Sequence, residues 1–152
     1  MGVRVSFDGA CQPPGKGGIA TWAFVVEGEG LEAEQWGLAA PPGSPDSTNN
    51  VAEYTGAIRG LEYLLERGYR GPVVLQGDSQ LVLRQAEGGY RVRAPHLRPL
   101  NERLRRTLAL FETAELRWVP REENARANEL TQDALRQVRR WGGPGAGRRG
   151  AH

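Results

Sequence analysis

The chain has 152 residues, 39% of them hydrophobic and 25% charged, which suits one globular domain with an apolar core and leaves too little length for two. Its single cysteine, Cys11, excludes an internal disulfide framework and a cysteine-rich zinc site, and the absence of a targeting run or bilayer-length apolar run predicts a cytoplasmic protein with no membrane association. A formal net charge of +2 is too small to announce a polyanionic partner, but the cations are nearly all arginine and unevenly placed, so their distribution matters more than their sum.

Val3, Val5 and Phe7 alternate with Arg4 and Ser6, which predicts a strand with one buried face that ends at Asp8-Gly9. A turn-rich stretch follows over residues 13–18; its glycines around Lys16 lack both the P-loop spacing and the Ser or Thr such a loop needs. Residues 21–26 and 34–38 then read as the second and third strands of an antiparallel meander. Beyond a Pro-, Gly- and Ser-rich loop, Thr48-Asn49-Asn50 is a helix-capping cluster, and the spacing of Val51, Tyr54, Ile58, Leu61 and Leu65 predicts a helix to about residue 67. Val73-Val74-Leu75 is a short β-branched run expected to be covered on both faces, closing at Gly77-Asp78-Ser79.

Residues 79–87 read as a short helix ended by Gly88-Gly89, and residues 95–110 as a longer one carrying Leu97, Leu100, Leu104 and Leu108. Residues 116–119 form the fifth strand, Asn124 is the expected N-cap, and the last helix buries Ala127, Leu130, Ala134, Leu135 and Val138. The expected fold is α/β: a mixed five-stranded sheet, three strands antiparallel and two parallel, flanked by helices and occupying residues 1–141. From Gly142 the Gly- and Arg-rich composition predicts a flexible tail over residues 142–152.

Asp8 and Asp78 each follow a strand, Glu53 sits early in the first long helix, and Asn128 sits early in the last. If strands one and four are parallel neighbours, the two aspartates meet, and carboxylates crowded in this way repel unless a divalent cation with oxygen ligands lies between them. Gly56, Ala57 and Gly60 lie three, four and seven residues after Glu53 and share its face. A face of small residues lets the helix approach the sheet and bring Glu53 to the same ion. Spacing alone leaves a second reading open, in which Glu53 is a surface residue on an ordinary helix with tolerated glycines.

Asp8-Gly9-Ala10, Thr48-Asn49-Asn50-Val51-Ala52-Glu53, Gly77-Asp78-Ser79-Gln80 and Val119-Pro120-Arg121-Glu122-Glu123-Asn124, followed by Asn128-Glu129-Leu130, stand in one order on the expected elements. Together they resemble type 1 ribonuclease H, from Asp8 to about Leu135. The resemblance implies endonucleolytic cleavage of the RNA strand of an RNA–DNA hybrid, with catalytic and metal-binding residues Asp8, Glu53, Asp78 and Asn128. It implies two Mg²⁺ or Mn²⁺ ions beside the scissile phosphate, one activating water and the other stabilising the leaving oxygen, and products with 5′-phosphate and 3′-hydroxyl ends. Substrate contacts map to the backbone of Gly9, Ala10 and Cys11 and to Glu53 and Gln80, reading 2′-hydroxyls, and to Thr48, Asn49 and Asn50 in the minor groove. Helix capping is the competing use of that last cluster. A monomer is expected.

The sequence departs from the family in three respects. The fourth acidic position carries Asn128, which offers an oxygen without a charge; Glu129 points about 100° away around the helix and does not replace it. That change leaves three readings open: a working site with a neutral ligand, a substitution that traps substrate, or a module that binds hybrids without cutting. A related nuclease acting on another nucleic acid is a further alternative. The loop before the last helix lacks the family's histidine and offers Arg121, Glu122 and Glu123 instead, while His96 and His152 lie elsewhere. The basic, tryptophan-rich protrusion is also missing, as in the compact, archaeal-like branch. Seven arginines between Arg84 and Arg106 against Glu87 and Glu102 suit phosphate contact.

Overall fold

The structure is a computed structural model that describes residues 2–15, 17–88 and 91–141. The predicted tail, Lys16, Gly89 and Tyr90 lie outside those residues. Five strands form one sheet in the order β3-β2-β1-β4-β5: β1 (Val3–Gln12), β2 (Ile19–Glu27), β3 (Ala33–Leu38), β4 (Val73–Gly77) and β5 (Ala114–Trp118). The first three pair antiparallel, whereas β4 runs parallel to β1 and β5 parallel to β4, as the expected fold class requires.

Helices cover both faces. On one side α1 (Asn49–Glu66), α2 (Gln80–Glu87) and α3 (Arg98–Leu108) pack over Val3, Val5, Phe7, Phe24 and Leu75. On the other, α4 (Ala125–Trp141) sets Ala127, Leu130, Ala134 and Val138 against Ala23, Val25 and Trp36. The alternation in β1 predicted one buried face, but α4 also covers the second, so Ser6 and Asp8 are buried although polar. A second difference is the length of β1. Its pairing with β2 continues through Gln12, which places Asp8 in mid-strand, while its parallel ladder with β4 stops at Ser6. Asp8 therefore sits just beyond the point where β1 and β4 part.

Thr48 caps α1, its hydroxyl accepting from the Val51 N–H at 3.1 Å. Ser79 does the same for α2 through Val82 at 3.2 Å. The segment predicted as one helix from residue 95 begins with a 3₁₀ turn, Pro95–Leu97, before α3. A buried relay joins the three helices: the Tyr54 hydroxyl donates to Gln85 Oε1 at 2.5 Å and accepts from Asn101 Nδ2 at 3.1 Å. Asn124 does not cap α4. It ends a 3₁₀ turn, Arg121–Asn124, and its amide reaches back to β1.

Candidate active site

Asp8 on β1, Asp78 directly after β4 and Glu53 on α1 converge, and one oxygen from each carboxylate lies within 4.8 Å of the others. The parallel β1–β4 pairing accounts for the two aspartates. Glu53 arrives because α1 is pressed onto β1. A β-carbon added to Gly9 would stand 2.4 Å from the Glu53 backbone nitrogen, and one added to Gly56 would stand 2.8 and 2.9 Å from the carbonyl oxygens of Ala23 and Asp8. The small-residue face of α1 therefore permits the approach, and glutamate at 53 is not a surface residue on an ordinary helix.

Three acidic groups held this close, Asp8 buried and Glu53 and Asp78 half-buried, repel one another. Burial, and then the charges of Asp8 and Asp78, push the Glu53 carboxyl up to about 8, with Ser79 and Arg121 pulling the other way. Burial likewise raises Asp8 to about 6, against a hydrogen bond from Asn128 and with the charge of Asp78 adding to the rise. A site that forces carboxylates to hold protons near neutrality is one where a cation would relieve the repulsion. All its donors are hard oxygens, so the residues fit a divalent ion of the magnesium or manganese type.

Asn128 joins the group: its Nδ2 donates to Asp8 Oδ2 at 3.1 Å, and the single proton of Thr131 Oγ1 is shared between that oxygen at 3.3 Å and the Asn128 carbonyl at 2.8 Å. Thr131 is fully buried, and its own carbonyl accepts from Thr21 Oγ1 at 3.1 Å, which pins α4 to β2. One pocket of about 190 Å³ is lined by Asp8, Gly9, Ala10, Cys11, Asn49, Glu53, Asp78 and Asn128. Of the remaining predicted contacts, Thr48 caps α1, Asn50 is half-buried and Gln80 is exposed in the first turn of α2, and none of the three lines that pocket. The Cys11 side chain is buried and donates to the Ser47 carbonyl at 3.2 Å, so only its backbone is available to a ligand.

Several neighbours were not singled out from the sequence. Gln12 and Gln132 line the pocket; so does Arg121, already named from the sequence, whose charge acts on Glu53. Of the three loop residues weighed in place of the missing histidine, Arg121 alone lines it. Trp118 braces Asp78, its indole N–H donating to the Asp78 carbonyl at 3.2 Å. Thr131 had one legible signal, its place three residues after Asn128 on the same helix face. Among the clustered arginines, Arg103 forks onto Glu62 at 2.7 to 2.9 Å, and Arg98 donates to the Val92 carbonyl.

Residues 6–134 match the family described as reverse transcriptase-like. Ribonuclease HI of Halobacterium salinarum is 36% identical over 134 residues, covering 88% of this chain and 64% of that protein. This chain thus spans just under two thirds of that relative's length. The crystal structure of RNase H1 from the same archaeon superimposes with a TM-score of 0.77 at 34% identity, over 90% of this chain and 98% of that one. LC11-RNase H1, solved in complex with an RNA/DNA hybrid, matches with a TM-score of 0.77 at 29% identity over the same shares.

Proposed function

The chain belongs to the reverse transcriptase-like family and has the ribonuclease H fold, and on that footing we propose that it cuts the RNA strand of RNA–DNA hybrids endonucleolytically, leaving 5′-phosphate and 3′-hydroxyl ends. One observation carries the reading: three carboxylates from β1, α1 and the end of β4 gather within 4.8 Å, in a pocket that Asn128 also lines. Residues 1–141 act as one catalytic domain, a monomer in the reducing cytoplasm, where a lone buried thiol needs no partner.

Asp8, Glu53 and Asp78, with the amide oxygen of Asn128, are the residues that would hold two Mg²⁺ or Mn²⁺ ions. Bound there, the ions would supply Lewis acidity, making the attacking water more acidic and stabilising charge on the leaving 3′ oxygen. The chain's own side chains orient and hold. Asn128 and Thr131 fix Asp8 from the α4 side. Arg121 sets a positive charge beside Glu53 and is placed to favour the phosphate. Main-chain groups of Gly9, Ala10 and Cys11, with Glu53 and Gln80, read successive 2′-hydroxyls, which the DNA strand lacks. Asn49, with Thr48 and Asn50 at the same helix start, meets the hybrid's minor groove.

Charge separates cutting from mere binding. Asn128 removes one negative charge from the metal-binding set but leaves an oxygen, and the other three groups are in place, so the site works with weaker metal affinity. The test is to incubate a labelled hybrid, a DNA duplex, an RNA duplex and single-stranded RNA with magnesium or manganese, using the parent protein and Asp8→Asn. Cutting confined to the hybrid's RNA strand and lost in Asp8→Asn is expected. Binding of the hybrid with no cutting under either metal refutes the enzyme, and cutting of another nucleic acid refutes the substrate.

A further inference from the structure

Asp8 is gripped at three points by a single segment. Two grips fall on its carboxylate, from Asn128 and Thr131. The third falls on its backbone: Asn124 Nδ2 donates at 2.8 Å to the carbonyl of Phe7, the peptide whose nitrogen belongs to Asp8. Positions 124, 128 and 131 are spaced i, i+4 and i+7, which sets all three side chains on one side of the 3₁₀ turn and α4.

The Phe7 carbonyl has a reason to need this partner. β4 pairs with β1 only as far as Ser6 and then stays with β5, Gly77 pairing with Trp118. A buried carbonyl beyond the last rung of a ladder must find a donor elsewhere, and Asn124 supplies it one residue before the site. Asparagine is otherwise a poor choice there. It is 3% exposed, its Oδ1 has no hydrogen-bond partner among the described residues, and it does not cap the helix that follows. A buried acceptor left unpaired is destabilising, and an apolar residue of similar volume removes this one only by leaving the Phe7 carbonyl unpaired instead. Each choice leaves one buried acceptor unpaired, so stability alone does not single out asparagine, whereas the geometry at Asp8 does.

We propose that Asn124 is a positioning residue for Asp8: by holding the Phe7–Asp8 peptide where β1 and β4 part, it sets the direction in which the Asp8 carboxylate meets Glu53 and Asp78. Without that grip β1 can tilt at its unpaired edge, and a small rotation of the peptide is magnified at the end of the side chain. This inference rests on the reading of Asp8 as a metal-binding carboxylate of a hybrid nuclease.

Asn124→Leu tests it, because leucine removes the grip on the Phe7 carbonyl at similar volume while exchanging one unpaired acceptor for another; Asn124→Ala is the second variant if leucine does not fold. Four quantities are read in parent and variant: the melting temperature in chelator, kcat and KM on a labelled hybrid, the magnesium concentration for half-activation, and the amide and carboxyl NMR signals of Asp8 during magnesium titration. The expected result is a melting temperature within a few degrees of the parent's, since one unpaired acceptor replaces another, with kcat down about tenfold and KM little changed. The magnesium midpoint rises, and the Asp8 signals shift before any metal is added. A folded variant with parental kcat, parental magnesium midpoint and unmoved Asp8 signals overturns the inference. Activity that falls only in step with the folded fraction overturns it too. A parent inactive on every substrate defeats the nuclease reading instead, and the Asp8 signals and magnesium titration still decide this one.

Discussion

Replacing Gly56 by alanine sets two effects of opposite sign against each other. Alanine is favoured over glycine inside a helix by about 1 kcal/mol, so on an unconstrained helix the change stabilises. Here the new β-carbon would stand 2.8 Å from the Ala23 carbonyl oxygen and 2.9 Å from that of Asp8. Ordinary contact begins near 3.4 Å, leaving a deficit of about 0.6 Å. Both obstacles are main-chain oxygens in the centre of the sheet and cannot rotate aside, so α1 must lift. Overpacking of this kind costs about 1–3 kcal/mol. The balance is a net loss of up to about 2 kcal/mol, a fall of a few degrees in melting temperature. Activity is the more sensitive readout. Glu53 lies one turn earlier on the same face and moves with the helix, and since a displacement of about 1 Å can cost about a hundredfold in rate, half of that predicts a loss of roughly tenfold in kcat. Thermal unfolding and hybrid cleavage at saturating magnesium measure the two. Gly60→Ala is the control: its β-carbon would meet side chains, Val5 Cγ1 at 2.4 Å and the Phe24 ring at 3.2 Å, which can repack, so stability falls while kcat stays nearer the parent's. A Gly56→Ala protein about 1 kcal/mol more stable with parental kcat would refute the tight apposition of α1 and β1.

Other outcomes follow from the electrostatics of the site. Folding raises Glu53 from 4.5 to about 8 and Asp8 from 3.8 to about 6, so the metal-free folded state holds protons more tightly than the unfolded one. The stability this contributes is full below the unfolded values and is lost as pH rises toward 8. In chelator, Glu53→Gln should melt above the parent at pH 8 and together with it near pH 4; parallel melting curves across that range would contradict burial and charge crowding as the cause. Asn128→Asp adds a charged oxygen but turns a donor to Asp8 into a second carboxylate, so the magnesium midpoint should drop while metal-free stability at pH 8 declines. Equal metal dependence in the two proteins defeats the neutral-ligand account. Arg121 holds the Glu53 carboxyl down; Arg121→Ala should let it rise further, moving the activity profile to higher pH and increasing the metal needed near pH 7. An unchanged profile means that Arg121 is a bystander.

Local order was readable in one dimension because local interactions create it. Thr48 belonged to the cluster read as a helix cap and caps α1, while Ser79, read only as the first residue of a short helix, is the cap of α2. The glycines that share a face with Glu53 announced a close approach, which backbone distances at Gly9 and Gly56 bear out. Where periodicity failed, a distant element had intervened. The alternation in β1 gave no sign that α4 would cover its second face and bury Ser6 and Asp8. Asn124 looked like a cap because asparagine before a helix usually is one, and only the early parting of β4 from β1 turned its amide toward Phe7.

The same division holds for the site. Residue types, their order and the elements that carry them are properties of short stretches, so Asp8, Glu53, Asp78 and Asn128 stood out before any coordinate did. Their meeting depends on contacts between segments up to 120 positions apart, and no local propensity encodes these. The parallel crossover sets Asp78 beside Asp8, the tight seat of α1 brings in Glu53, and α4 delivers Asn128, Thr131 and Asn124 to one strand. The charge crowding that makes the pocket a place for metal exists only once those segments have packed and excluded water.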